Sequence, residues 1–281
     1  MKKLIITTLL LTANIFANIN AVVSILPEKT FVKAIGGDKV NITLMVAPGS
    51  SPHTYEPKPS QMKSIAKADL YFAMGVEFEN VWLGKFQDLN PNMQTVDLSN
   101  GIPKREMQAH AKHACHGHDE HKKDIHTWTT PDNVKIMVEN IYKALSKYDP
   151  ENEAYYKKNL ETYSAQIAQT HNKIMEILTS LPKGSKFMVF HPSWGYFAHA
   201  YGLEQLSVEI EGKSPKPKEL MALMKEAKKQ KIQAIFTQPE FSDATAKIIA
   251  NELSISVIKV SPLNPKWSEN LIGIAKAIAG K

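Results

Sequence analysis

The 281-residue sequence holds one cysteine, Cys115, and that scarcity excludes several designs. A single thiol forms no intramolecular disulfide, and no CxxC pair is present to build a closed structural zinc site. HExxH is absent as well, so the helix-borne ligand pair of a zinc protease is missing. Beyond the N-terminus no apolar run approaches the ~20 residues that a membrane-spanning helix needs. Basic charge is thin: Lys+Arg 34 against Asp+Glu 28 leaves +6. It is scattered, apart from Lys225 to Lys231, which read as the solvated face of a helix. A nucleic-acid groove needs such charge concentrated, so nucleic acid is not an expected partner. Internal repeats at a fixed period are absent too.

The N-terminus does carry a signal. In MKKLIITTLLLTANIFA, Lys2 and Lys3 precede an apolar core from Leu4 to Leu11, and small residues follow near Ala17. This is the pattern of a secretory signal peptide over residues 1–17, cut after Ala17 or Ala21. The leader has no cysteine to take a lipid, so an unanchored chain is expected. A cell without an outer membrane would lose such a protein, which makes the periplasm the expected address.

From residue 18 the pattern alternates. NINAVVSIL, VNITLMV, LYFAMG and MQTVDL read as strands. PEKTFVKAIGG, SQMKSIAKAD (capped by Ser60) and FENVWLGKF read as the helices between them. After a polar stretch, PDNVKIMVENIYKAL is a helix opened by Pro131. A longer one follows over residues 150–181, its stripe running through Tyr156, Leu160, Tyr163, Ile167, Ile174, Leu178 and Leu181. Thirty-one residues from Glu151 at ~1.5 Å each would span roughly 46 Å. The strands KFMVFH, LEQLSVEI, IQAIFTQ and ISVIKV then alternate with helices again. Alternation of this kind implies parallel sheets covered by helices. The expected fold is α/β: an N-terminal lobe over 18–149, a linker helix over 150–181 and a C-terminal lobe over 182–281.

Ligands in open parallel sheets bind beyond the carboxyl ends of the strands. That rule selects His53 after VNITLMV, His191 at the end of KFMVF, Glu240 after IFTQ and Ser261 after VIKV. It also draws in His126, in the loop that feeds the Pro131 helix. An isolated histidine is ordinarily a surface or satisfied polar residue, and His171 and His199 read that way. His53 differs, because Pro52, Pro57 and Pro59 stiffen its loop. His191 differs, because it closes a strand before Pro192. Three neutral imidazoles from three loops make a zinc site with a fourth position for water or a carboxylate.

A second concentration of donors lies in HAKHACHGHDEH, inside a loop over 108–124. His110, His113, Cys115, His116, His118 and His121 stand at spacings that match no closed zinc site. Such a segment can be merely solvated. It can also catch zinc, copper or nickel weakly, because ordering it costs entropy. The reading adopted is an accessory metal-binding loop beside the main site.

SPHTYEPKPSQMKSIAKADLYFAMGVEFE, DIHTWTTPDN, VFHPSWGYFAHAYGL and FTQPEFS, in this order, resemble the metal-binding proteins of bacterial zinc and manganese ABC importers. The resemblance spans nearly all of the mature chain. It implies two α/β lobes joined by one long helix, with metal between them. It makes His53 and His126 the first-lobe ligands and His191 the second-lobe ligand. The histidine-rich insertion before DIHTW is typical of the zinc branch, the ZnuA type. The manganese branch resembles a site of two histidines and two carboxylates, whereas here His191 and Ser261 occupy the positions where carboxylates are common. Many relatives also have a second-lobe disulfide, which one cysteine cannot make.

The expected function is therefore zinc capture in the periplasm and delivery to an ABC permease with its ATPase, by a monomer that is not an enzyme. Glu240, or a water, would complete the coordination. A manganese-binding importer component is the alternative. A zinc hydrolase is a further one, since three histidines with an open position can activate water. An adhesin or metal-buffering protein is disfavoured by the missing anchor.

Overall fold

The computed structural model describes residues 18–107, 123–209 and 215–281. The leader read over 1–17 and the donors of HAKHACHGHDEH lie outside the described residues. The first lobe runs β1 (Ile19–Val23), α1 (Leu26–Gly36), β2 (Val40–Leu44), α2 (Pro59–Ile65), β3 (Leu70–Ala73), α3 (Glu77–Leu89) and β4 (Gln94–Asp97). Two helices follow, α4 (Pro131–Tyr148) and α5 (Glu153–Leu178). The second lobe runs β5 (Lys186–Val189), α6 (Gly195–Ala200), β6 (Glu204–Ser207), α7 (Pro217–Lys229), β7 (Ala234–Thr237), α8 (Ala244–Leu253), β8 (Ser256–Lys259) and α9 (Trp267–Ile278).

Both sheets are parallel and share one order, β2-β1-β3-β4 and β6-β5-β7-β8. The topology repeats although the sequence does not. Central strands β3 and β7 are buried along their whole length, LYFA and AIFT, as strands covered on both faces must be. The edge strand β4, QTVD, is mostly exposed and correspondingly polar. In each sheet the order reverses beside the first strand, which opens a crevice beyond the carboxyl ends there.

Two local expectations are corrected. Ser60 does not cap α2: Lys58 is the cap and Pro59 the first helical residue, so Ser60 sits inside the first turn. The cap function falls to Gln61, whose side chain accepts from the Lys58 N–H at 2.9 Å. Its amide also donates to the carbonyls of Leu44 and Met45, tying the loop before α2 to the end of β2. The long helix is shorter than the pattern suggested. A 3-10 turn occupies Pro150–Asn152 and the α-helix has 26 residues, about 39 Å.

The stripe on α5 packs against α1, α4 and α9. Thr170 fills the slot between Ile167 and Ile174, its hydroxyl paired with Ser268 on α9 at 2.9 Å. Helix α9 thereby reaches back to the first lobe, where Trp267 meets Phe31 edge-on at 5.7 Å. Two indoles link the lobes further. Trp267 Nε1 donates to the Trp128 carbonyl at 2.8 Å, and Trp128 Nε1 to the Pro262 carbonyl at 2.7 Å. One apolar core therefore runs through both lobes, and a smaller one lies under α7 and α8. Among the described residues no helix is long and apolar enough to cross a membrane.

Candidate metal centre

His53, His126 and His191 come together between the lobes. One ligand atom from each lies within 4.8 Å of the other two, the only such group among the described residues. Ring centroids are 5.0 Å apart for His53 and His191, 5.3 Å for His126 and His191, and 6.5 Å for His53 and His126. His126 and His191 are buried and His53 half-buried.

Each ring is oriented by its backbone and by an acid. His53 follows β2 in the loop held by Gln61, and the carbonyl of Pro52 accepts from the Phe78 N–H of α3. His126 opens the 3-10 turn Thr127–Thr129 ahead of α4, its carbonyl accepting from the Thr129 hydroxyl. His191 stands two residues beyond β5, its carbonyl held by Ser193 N and by the Gln238 amide. The Nδ1 atoms face carboxylates: Glu77 at 2.8 Å from His53, Asp124 at 2.8 Å from His126 and Glu209 at 2.6 Å from His191. A carboxylate accepts, so Nδ1 donates and a neutral ring keeps its lone pair on Nε2. This is the arrangement by which an outer carboxylate sets the tautomer and raises the basicity of a metal-binding imidazole.

Sheet register explains the third pair. Val189 is opposite Ser207, and the ladder continues through Glu209 N to the Phe190 carbonyl at 2.9 Å. Two residues beyond each strand, His191 and Glu209 therefore arrive side by side. Asp124 works locally, its Oδ1 accepting both the His126 N–H at 2.9 Å and the ring.

Burial lowers the pKa of His191, and the charges of His126 and His53 push the same way, against the hydrogen bond it donates to Glu209 and the charge of that carboxylate. The balance favours the neutral ring, the form that binds metal. Burial raises Glu77, but its hydrogen bond to His53 and the charges of His53 and His126 outweigh this and leave it below its ordinary value. The Nε2 atom of His191 is buried without a hydrogen-bond partner, a polar atom that a metal would satisfy.

The cavity at the three rings has a volume of about 20 Å³, the scale of a single water or ion. Its walls are largely apolar. Phe241 stacks on His191 at 4.9 Å and 25°, and Trp128 lies 5.5 Å from His126. Glu240 lines this cavity but is not brought into the ligand group; its Oε1 accepts from the Ser261 hydroxyl at 2.8 Å. His171 is half-buried, 3.3 Å from the Tyr201 hydroxyl, and His199 is exposed. Neither joins the group. Sequence reasoning passed over Glu77, Asp124, Glu209 and Phe241. Asp124 alone carried a local signal, two positions before His126.

Residues 21–279 match the family model described as zinc-uptake complex component A, periplasmic (ZnuA). The chain belongs to this family. A crystal structure of ZnuA superposes with a TM-score of 0.86 at 36% identity, covering 94% of this chain and 98% of that one. A ZnuA deletion mutant with zinc bound gives 0.85 at 36%, over 93% and 97%. Among curated relatives, the metal ABC transporter substrate-binding lipoprotein SloC of Streptococcus mutans is 29% identical over 246 residues, 80% of this chain and 74% of that protein. The manganese ABC transporter substrate-binding lipoprotein scaA of Streptococcus gordonii is 28% identical over 252 residues, 85% and 77%. The protein is accordingly an extracytoplasmic substrate-binding component of a metal ABC transporter, working with a permease and an ATPase. Its family consists of solute-binding transport proteins. Both streptococcal relatives are named lipoproteins, unlike the unanchored chain expected here.

Proposed function

We propose that this chain captures zinc in the periplasm, as a monomer, through His53, His126 and His191, and passes it to the permease. The carrying observation is the donor set: three imidazoles converge within 4.8 Å, each oriented through Nδ1 by a carboxylate. Nitrogen donors favour zinc over manganese, a harder ion that wants oxygen. Three histidines leave the fourth tetrahedral position to a water. The family description and the zinc-bound ZnuA structure are in line with this reading. Manganese is the second reading, favoured by the naming of relatives such as scaA.

His110, His113, Cys115, His116, His118 and His121 act beside this site as a weaker catcher of metal. The test strips the protein and titrates zinc and manganese against a competing chromophoric chelator. Three proteins are compared: wild type, a deletion of residues 110–121, and the triple variant His53→Ala, His126→Ala, His191→Ala. The deletion keeps one tight zinc site and the triple variant loses it. Manganese binding as tight as zinc would overturn the choice of metal. Tight zinc binding that survives in the triple variant and vanishes in the deletion would move the site to the histidine-rich segment.

A further inference from the structure

A second and larger cavity adjoins the small one at the three histidines, with Glu240 and Leu263 common to both walls. It has a volume of about 240 Å³ and lies between the start of α1 with the loop after β2 on one side and the loops after β7 and β8 on the other. Pro48, Gly49, Pro239 and Pro265 on its wall are exposed, so it opens to solvent. Six waters at ~30 Å³ each occupy roughly 180 Å³, so a hydrated ion fits. The inner cavity, at about 20 Å³, admits an ion only after most of that water is shed. Glu240 and Leu263 line both spaces and form the partition between them.

The partition is where the space narrows from about 240 to about 20 Å³ and the ion must shed water. Phe241, Trp128, Pro262 and Leu263 form the apolar part of the inner wall, and a cation that sheds water beside them before the imidazoles hold it carries a steep desolvation cost. Glu240 is the one carboxylate lining either space among the described residues. Its Oε1 is tethered only to the Ser261 hydroxyl, and it stands outside the ligand group.

We propose that the larger cavity is the vestibule through which the ion reaches and leaves the histidines, and that Glu240 is its transfer ligand. The carboxylate meets the partly dehydrated ion at the partition, replaces lost waters during the crossing, and returns to Ser261 once the imidazoles hold the ion. This rests on the metal-site reading above and adds a route and a role for a residue outside the triad. A group that lowers the barrier speeds passage in both directions. A group that coordinates or merely attracts the bound ion slows its departure instead.

The test follows zinc binding and release by stopped flow, using a fluorescent zinc chelator as acceptor, in wild type, Glu240→Gln and Ala47→Phe. Thermal melting checks that each variant is folded, and His191→Ala shows whether the kinetics report the histidine site. Glu240→Gln slows both binding and release, by about tenfold if the carboxylate contributes ~1.4 kcal/mol at the barrier. Ala47→Phe, which adds bulk to the vestibule wall, also slows both. Release at the wild-type rate or faster in Glu240→Gln overturns the transfer role. Unchanged rates in Ala47→Phe overturn the route. Tight binding retained by His191→Ala would instead sink the underlying site assignment.

Discussion

Gly195, at the start of α6 in the second lobe, stands against the carboxylate that orients a histidine of the first. A Cβ built on it would lie 2.5 Å from Oδ2 of Asp124 and 3.3 Å from the Gln205 amide. Asp124 is 1% exposed and holds both the backbone and the ring of His126. Absence of a side chain at Gly195 therefore leaves the room that Asp124 occupies beside His126.

Gly195→Ala forces either the Asp124 carboxylate or the α6 backbone to shift, and neither yields cheaply. Loss of an outer-sphere partner typically weakens metal binding 10–100-fold. Zinc affinity of this variant should fall by about that range, matching Asp124→Ala, while His53 and His191 remain. Chelator competition measures it. An affinity equal to wild type would show that Asp124 tolerates the added methyl and that the contact is incidental.

Glu209→Gln tests the same principle from the other lobe. The amide can present a donor to the Nδ1 of His191 and so favour the tautomer whose lone pair is on the wrong nitrogen. Affinity should again drop by about 10–100-fold, with little change in melting temperature of the metal-free protein. Equal losses of affinity and stability would mean that Glu209 only supports the fold.

Much of this was legible in the sequence. Apolar runs between helical patterns gave the two parallel sheets; the rule about strand ends selected His53 and His191, together with Glu240 and Ser261, which do not join the group, and His126 came from the loop before the Pro131 helix. The carboxylate partners were not legible. Glu209 is 18 positions from His191, and only the β5–β6 register brings them level. Glu77 sits in the first turn of α3, where an acid is explained by the helix dipole alone. Thr170 was missed on the α5 stripe because a hydroxyl reads as solvent-facing until its partner Ser268 is known. Boundaries slipped for local reasons, as where Pro59 rather than Ser60 opens α2.

Acid titration should reveal a cost hidden in the first lobe. Glu28 is fully buried; burial, reinforced by the charge of Glu79, raises its pKa well above 4.5. A carboxyl whose folded pKa is raised contributes stability below its unfolded value, and this is lost as pH rises through the folded value. Melting of the metal-free protein should therefore show a destabilising contribution that grows from about pH 4.5 upward. Glu28→Gln keeps an acceptor for the Ile25 N–H, which bonds at 2.7 Å, and should flatten that slope. Parallel curves for variant and wild type would show that Glu28 does not titrate in the window.

Trp128→Phe separates the joint between the lobes from the metal centre. The indole N–H is buried and donates to Pro262, in the wall of the inner cavity, while the ring lies beside His126. Phenylalanine retains most of the apolar contact but leaves the Pro262 carbonyl without this donor. Losing such a buried hydrogen bond costs about 1–3 kcal/mol. Denaturant unfolding of the metal-free protein should register that loss, and zinc affinity should fall by a smaller factor because the three imidazoles and their carboxylates stay in place. A variant as stable as wild type would mean that the Trp128–Pro262 hydrogen bond is not needed to hold the lobes together. An affinity loss exceeding the stability loss would mean that the indole, and not only the histidine–carboxylate pairs, sets the geometry of the centre.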